Sequence, residues 1–237
     1  MDMFNQLSPA QDSPGAVALQ NAFVNRVYGW MTAGLALTGF TAYYIAAKYG
    51  ALVFQHRGLY IGLMLLELLV VMELSSAINK ISAFVALLGF LFFAVLNGVT
   101  LSWIFIAYDP SSIAKTFFAT SATFGAMGLF GYLTKKDLTS IGSLCFMGLI
   151  GLIIASILNV IWPNTRVGLV ISCVGILIFV GLIAYDTQKI KRLALAVGEG
   201  EVDAESGKKY AIIGALELYL DFVNLFLHIL RLLGNRK

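Results

Sequence analysis

The sequence predicts an all-α polytopic membrane protein: a bundle of seven transmembrane helices with the last helix at its centre. Three observations carry this. The 237 residues are 59% hydrophobic and only 12% charged, about half the roughly 25% of an ordinary soluble domain. A mean hydropathy of +0.85 leaves too little polar surface to cover a soluble globule. Apolar runs near the ~20 residues needed to cross a hydrocarbon core of about 30 Å recur along the chain, and the last carries a polar stripe that must be sheltered.

The runs follow in order. The first covers 27–47 and ends before Lys48. The second, 59–78, is interrupted by Glu67 and Glu73. The third, 82–107, begins after Lys80 and ends at the turn signal YDPSS. The fourth, 113–133, is ended by TKKD, and the fifth, 141–162, by WPNT. The sixth is 167–187 and the seventh 211–233. Short joints at 79–81, 108–112, 134–140 and 163–166 imply antiparallel neighbours in one bundle. The only long connection is 188–210, polar and glycine-bearing. The layout is a tail (1–26), a single membrane domain (27–233) and a C-terminal tail (234–237). The start, MDMFNQLSPAQDSPG, carries Asp2 and Asp12 and lacks the basic n-region of a signal peptide, so the first run reads as a permanent helix.

Small residues recur at helix-packing spacing: Gly58 and Gly62; Gly125, Gly128 and Gly131; Gly148 and Gly151. In lipid they let backbones approach closely. The net charge of +3 is spread over loops and forms no nucleic-acid patch. Cys145 and Cys173 lie inside apolar runs and fit neither a disulfide framework nor a zinc site.

Lys and Arg set the expected orientation. Arg26, Lys80, Lys135, Lys136, Lys189, Lys191, Arg192, Lys208 and Lys209 fall on one side. Lys48, Arg57, Lys115, Arg166, Arg231, Arg236 and Lys237 fall on the other. The richer side marks the cytoplasm and places the N-terminus inside. If the seventh segment dipped in and returned, Arg231, Arg236 and Lys237 would change sides, so its course stays open at this level.

The seventh segment, AIIGALELYLDFVNLFLHILRLL, carries Glu217, Asp221, Asn224 and His228. Spacings of i, i+4, i+7 and i+11 place all four on one helical face. An acid at the centre of a membrane helix costs about 2.5–3.5 kcal/mol on insertion scales, so the stripe must face other helices or water. Mutual hydrogen bonding between helices is the plain alternative to an ion or proton path, and His228 alone reads more simply as a hydrogen-bonding group. Asp186, in FVGLIAYDTQKIKR, sits one residue from the end of its run, where an interfacial carboxylate would snorkel. If the helix continues through KIKRLALAV, Asp186 instead faces the stripe. Apolar boundaries put Asp221 deeper, so pairing needs an axial offset or a site toward the cytoplasm. Glu67 and Glu73 point about 120° apart and cannot both line one narrow path. Asn97, Thr100, Ser102, Ser156 and Asn159 read as helix–helix hydrogen-bonding groups.

The stretches VYGWMTAGLALT (27–38), GLIAYDTQKIK (181–191) and GALELYLDFVNLFLHILRLLGNR (214–236) resemble the Bax inhibitor-1 family, the transmembrane Bax inhibitor motif proteins, in a bacterial form. The resemblance implies seven helices with the last surrounded by six. It also implies a calcium leak across the membrane, regulated by pH through an aspartate pair that carries over to Asp186 and Asp221. The expected site is therefore Asp186, Asp221, Glu217, Asn224 and His228, with the two aspartates as weak, transient calcium ligands. Calcium is the transported ion, and no cofactor is expected. Some members set an arginine of helix two against the pair; segment 59–78 has no basic residue. The expected setting is a bacterial inner membrane, with the lipid bilayer, calcium and a membrane protease or other membrane proteins as partners. No G-x-G-D, G-x-S-x-G, H-E-x-x-H or phosphate-binding glycine loop is present, which argues against an enzyme. The competing class is a membrane interaction protein that modulates proteases or stress responses without conducting ions.

Overall fold

Residues 13–55, 57–78 and 80–237 are described by a computed structural model; Asp2 and Asp12 of the tail lie outside them. The helices are α1 (Pro14–Gln55), α2 (Arg57–Ala77), α3 (Ala83–Leu101), α4 (Trp103–Ala107), α5 (Pro110–Leu133), α6 (Thr139–Ile161), α7 (Thr165–Gly198) and α8 (Ala204–Leu233). α3 and α4 are one crossing broken at Ser102, whose Oγ donates to the carbonyl of Val99 at 2.6 Å. Seven long helical units result among the described residues. By length and composition α3–α4, α6, α7 and α8 are each apolar enough to cross a membrane, and the chain is an all-α polytopic membrane protein.

Helix ends fall where the turn signals put them. Ser82 caps α3 through the amide of Val85, and Glu205 accepts from the amide of Ala83 at 2.8 Å. Pro110 opens α5 behind Asp109. Asn164 accepts from the amides of Arg166 and Val167, and Asp203 from those of Glu205 and Ser206. Ser82, Glu205, Asn164 and Asp203 each supply an acceptor to amides that have no partner inside their own helix.

Two expected boundaries were wrong. α1 begins at Pro14, so the second half of the expected 1–26 tail is helix continuous with the first run, its buried face carried on by Ala16, Phe23 and Val27. The long connection at 188–210 is mostly helix: α7 runs on to Gly198, α8 begins at Ala204, and the joint is five residues, 199–203. Ile190 and Ala194 continue the buried face of α7, so KIKRLALAV is an amphipathic extension beyond the apolar run. Gly200, at φ +77°, makes the turn in a region L side chains rarely adopt.

α8 is the axis of the bundle. In its most apolar stretch 67% of residues are buried, against 44% in α3–α4 and α7 and 6% in α6. Leu218, Tyr219 and Leu225 are fully enclosed. The outer helices turn Leu65, Leu68, Met72, Leu144, Ile150 and Val160 outward, where lipid would cover them. α8 does not turn back. Its start lies beside the start of α3 through Glu205. Its end is tied to the α4–α5 joint by Tyr108–Arg236 bridging and by the amide of Asn235 donating to Ser112 Oγ at 3.1 Å. The two termini of the bundle therefore lie on opposite sides.

The glycine expectation is corrected in part. A Cβ at Gly131 would run into the backbone of Ala184, and one at Gly148 would press on Ile178, but Gly58, Gly62, Gly125 and Gly151 face open space. Spacing identifies a small face without saying which side a neighbour takes. Gly131→Leu should lower the thermal unfolding midpoint in detergent, by an overpacking cost of about 1–3 kcal/mol, while Gly62→Ala leaves it within about 0.5 kcal/mol of wild type.

Candidate functional site: an aspartate pair between α7 and α8

α7 and α8 pack antiparallel along the bundle axis. Asp186 and Asp221 meet between them, each only 5% exposed, with their carboxyl groups in hydrogen-bonding contact. The depth discrepancy disappears because α7 continues three turns beyond Asp186. Asp186 lies inside a helix rather than at the water boundary.

The contact has a chemical requirement. Two ionised carboxylates have no donor between them, and Asp221 Oδ2 meets no N–H or O–H donor among the described residues. The contact is a hydrogen bond only when one acid carries a proton. Like charges at this separation cannot both ionise easily, so the two titrate as a unit.

Glu217, one turn from Asp221, is placed near the pair but engaged elsewhere: Lys189 Nζ donates to its Oε1 at 2.6 Å. This half-exposed ion pair lies between the aspartates and the end of the bundle holding the 199–203 joint. Asn224 is turned to its own helix, its Nδ2 donating to the carbonyl of Leu220 at 2.8 Å. His228 lies about 10 Å along the axis from Asp221, stacked on Phe179 with ring centroids 5.7 Å apart and seated over Gly175. The stripe is one face, but only Asp186, Asp221 and Glu217 form one cluster.

Glu67 belongs to a different group. Thr100 Oγ1 donates to its Oε1 at 2.7 Å. Toward the axis, Thr38 Oγ1 and Tyr219 Oη are 2.7 Å apart, and Thr38 also donates to the carbonyl of Ala94. Thr100 is the helix–helix hydrogen bond expected of it. Asn159 instead accepts from the amide of Asn164 at its own helix end, Ser102 bonds its own helix, and Asn97 Oδ1 is buried without a donor among the described residues.

Sequence reasoning missed the clamp that KIKR and Gln188 build. Gln188 Nε2 donates to the carbonyl of Lys136 at 2.9 Å, and its Oε1 accepts from the amide of Leu138 at 2.9 Å. Arg192 Nη2 donates to Asp137 Oδ1 at 2.6 Å and to Gln188 Oε1 at 2.8 Å. Lys191 Nζ donates to the carbonyl of Tyr132 at 2.7 Å. The basic cluster holds the α5–α6 loop to α7. Its partners are distant in sequence, and only Gln188, polar and two residues from Asp186, hinted at them.

Asp137, in that exposed loop, is held down to about 2 by the hydroxyl and amide of Thr139 and by Arg192. A depressed carboxyl stabilises the fold above its unfolded value, roughly 3.9, and loses that contribution only as pH falls through about 2. The clamp therefore stays charged between pH 5 and 8. Asp137→Asn should leave the midpoint of any pH-dependent transport in that window unchanged, measured by flux across a pH series.

The family model described as Inhibitor of apoptosis-promoting Bax1 matches residues 20–237. The chain belongs to the Bax inhibitor-1 family. Its similarity is to bacterial members. It is 46% identical over 217 residues to the Inner membrane protein YbhL of Escherichia coli (strain K12), covering 91% of this chain and 92% of that protein. It is 41% identical to the Uncharacterized protein RP147 of Rickettsia prowazekii, over 91% and 90% of the two chains. It is 36% identical to an Uncharacterized membrane protein of Streptococcus pyogenes serotype M1, over 91% and 93%. The three stretches that carried the resemblance all lie inside the Bax inhibitor-1 match, the aspartate pair included.

Proposed function

We propose that the chain is a non-enzymatic, pH-regulated calcium leak channel of a bacterial inner membrane, with its N-terminus in the cytoplasm, gated by Asp186 and Asp221. The observation that carries the reading is the contact between two buried carboxyls on the central helix and its neighbour. With one shared proton the pair joins α7 to α8 and the route is shut. When that proton leaves, two negative charges face each other in a poorly solvated space, repel, and gain most by admitting a cation. Flux should therefore rise with pH through the titration of the pair.

Calcium takes six to eight oxygen ligands. The pair offers up to four, and water or backbone oxygens must supply the rest. So thin a ligand set binds weakly, as a leak requires, because the ion must also leave. Glu217 stands at the entrance and exchanges Lys189 for the passing ion. Asn224 and His228 continue the polar face toward the C-terminal end of α8.

The test is calcium efflux from liposomes containing the purified protein, across a pH series. Asp221→Asn should change efflux more than Glu67→Gln, whose carboxyl lies in the Thr100 cluster. No efflux from the wild-type protein, or equal and negligible effects of both variants, would favour the interaction protein.

A further inference from the structure

We propose that the chain carries a binding site for one anionic phospholipid at the end of the bundle holding the α5–α6 loop. The phosphate would lie in a basic recess between that loop and α7, and one acyl chain in the groove between α1 and α5. The site is separate from the aspartate pair and does not depend on calcium conduction.

The recess is a cavity of about 260 Å³ lined by Lys135, Lys136, Lys191, Arg192 and a single acid, Asp137. Arg192 and Asp137 neutralise each other, and Lys191 is held on Tyr132. The ammonium groups of Lys135 and Lys136 have no hydrogen-bond or ion-pair partner among the described residues. Two uncommitted cations at the rim of a polar cavity at headgroup level suit a phosphate.

The second observation is independent and apolar. α1 and α5 barely touch along the membrane. Between them lie cavities of about 850 Å³ and 390 Å³ that share Leu35, Gly39, Phe117 and Phe222 and so form one groove. Gly39 and Gly125 hollow its walls: a Cβ at either would meet no atom of another element within 4 Å. From Tyr132 to Phe117, α5 rises about 22 Å, more than the roughly 15 Å of one leaflet's hydrocarbon. Tyr132 lines the groove near the C-terminal end of α5, and Lys191 lies over that ring, 5.1 Å from its centroid. Headgroup recess and chain groove therefore meet at one residue pair. An anionic lipid satisfies both, a zwitterionic lipid only the groove, and a free phosphate only the recess.

The headgroup would bear on the loop that Gln188 clamps, two residues from Asp186. The chain would lie on Phe222, next to Asp221.

The experiment uses the full chain in detergent. Retention of phosphatidylglycerol and of phosphatidylcholine with identical acyl chains is measured by native mass spectrometry, with a parallel titration by inorganic phosphate. The expected result is preferential retention of one phosphatidylglycerol, with no saturable binding of phosphate alone. Lys135→Gln/Lys136→Gln should weaken phosphatidylglycerol by about thirtyfold, two surface lysines' worth, while Lys115→Gln at the other end leaves it unchanged. Gly125→Leu, which fills open groove, should weaken both lipids. Equal retention of the two lipids by the wild type, saturable binding of phosphate alone, or wild-type retention by either the lysine or the groove variant would overturn the proposal. Because no flux is read, this outcome is independent of whether the chain conducts calcium.

Discussion

Asp186→Asn and Asp221→Asn are each expected to remove most of the pH dependence of calcium efflux from liposomes, and the double variant to add little. Each change keeps the size of the side chain and deletes one proton-binding group. The remaining aspartate then has an amide to accept from at every pH, and the repulsion that would part α7 from α8 never develops. A wild-type profile that changes tenfold corresponds to about 1.4 kcal/mol of gating free energy. Each single variant should bring that close to zero. Non-additivity is the signature of two groups acting as one; independent, additive losses would return Asp186 to a carboxylate with its own separate role.

The largest stability effect is expected at Tyr219. It is fully buried and meets Phe90 and Phe93 edge-on, at centroid distances of 5.7 and 5.8 Å, while its hydroxyl pairs with Thr38. Tyr219→Ala should cost about 3–5 kcal/mol, as truncation of a large enclosed aromatic does. It would appear as a clear fall in the thermal unfolding midpoint in detergent. Tyr219→Phe keeps the ring contacts and loses only the interhelical hydrogen bond, about 0.6 kcal/mol in a membrane protein. Thr38 keeps its acceptor at Ala94. Equal losses in the two variants would mean that the hydroxyl, not the ring, holds α8 to α1 and α3.

The sequence carried the centre of the fold because periodicity is local. Glu217, Asp221, Asn224 and His228 declare one face of one helix, and the cost of exposing that face to lipid is enough to put α8 inside. Apolar run length did less well for Asp186. It marks where hydrocarbon ends, not where a helix ends, and α7 goes on for three turns as an amphipathic extension carrying Ile190 and Ala194 inward. The glycine spacings showed the same limit: Gly131 meets α7, whereas Gly125, at the same kind of interval, lines a groove. The Gln188 and Arg192 clamp, and the capture of Glu217 by Lys189, join residues 28 to 55 positions apart. Such pairings depend on which helices become neighbours, which no local pattern encodes.

The central claim is that Asp186 and Asp221 hold one proton between them. Infrared difference spectroscopy of the carboxyl C=O stretch, on protein in lipid taken through a pH titration, reads that proton directly. The pair should give one titrating band in the wild type that disappears or shifts in both Asp186→Asn and Asp221→Asn. A band that survives unshifted in either variant, or two bands removed separately by the two substitutions, would contradict it.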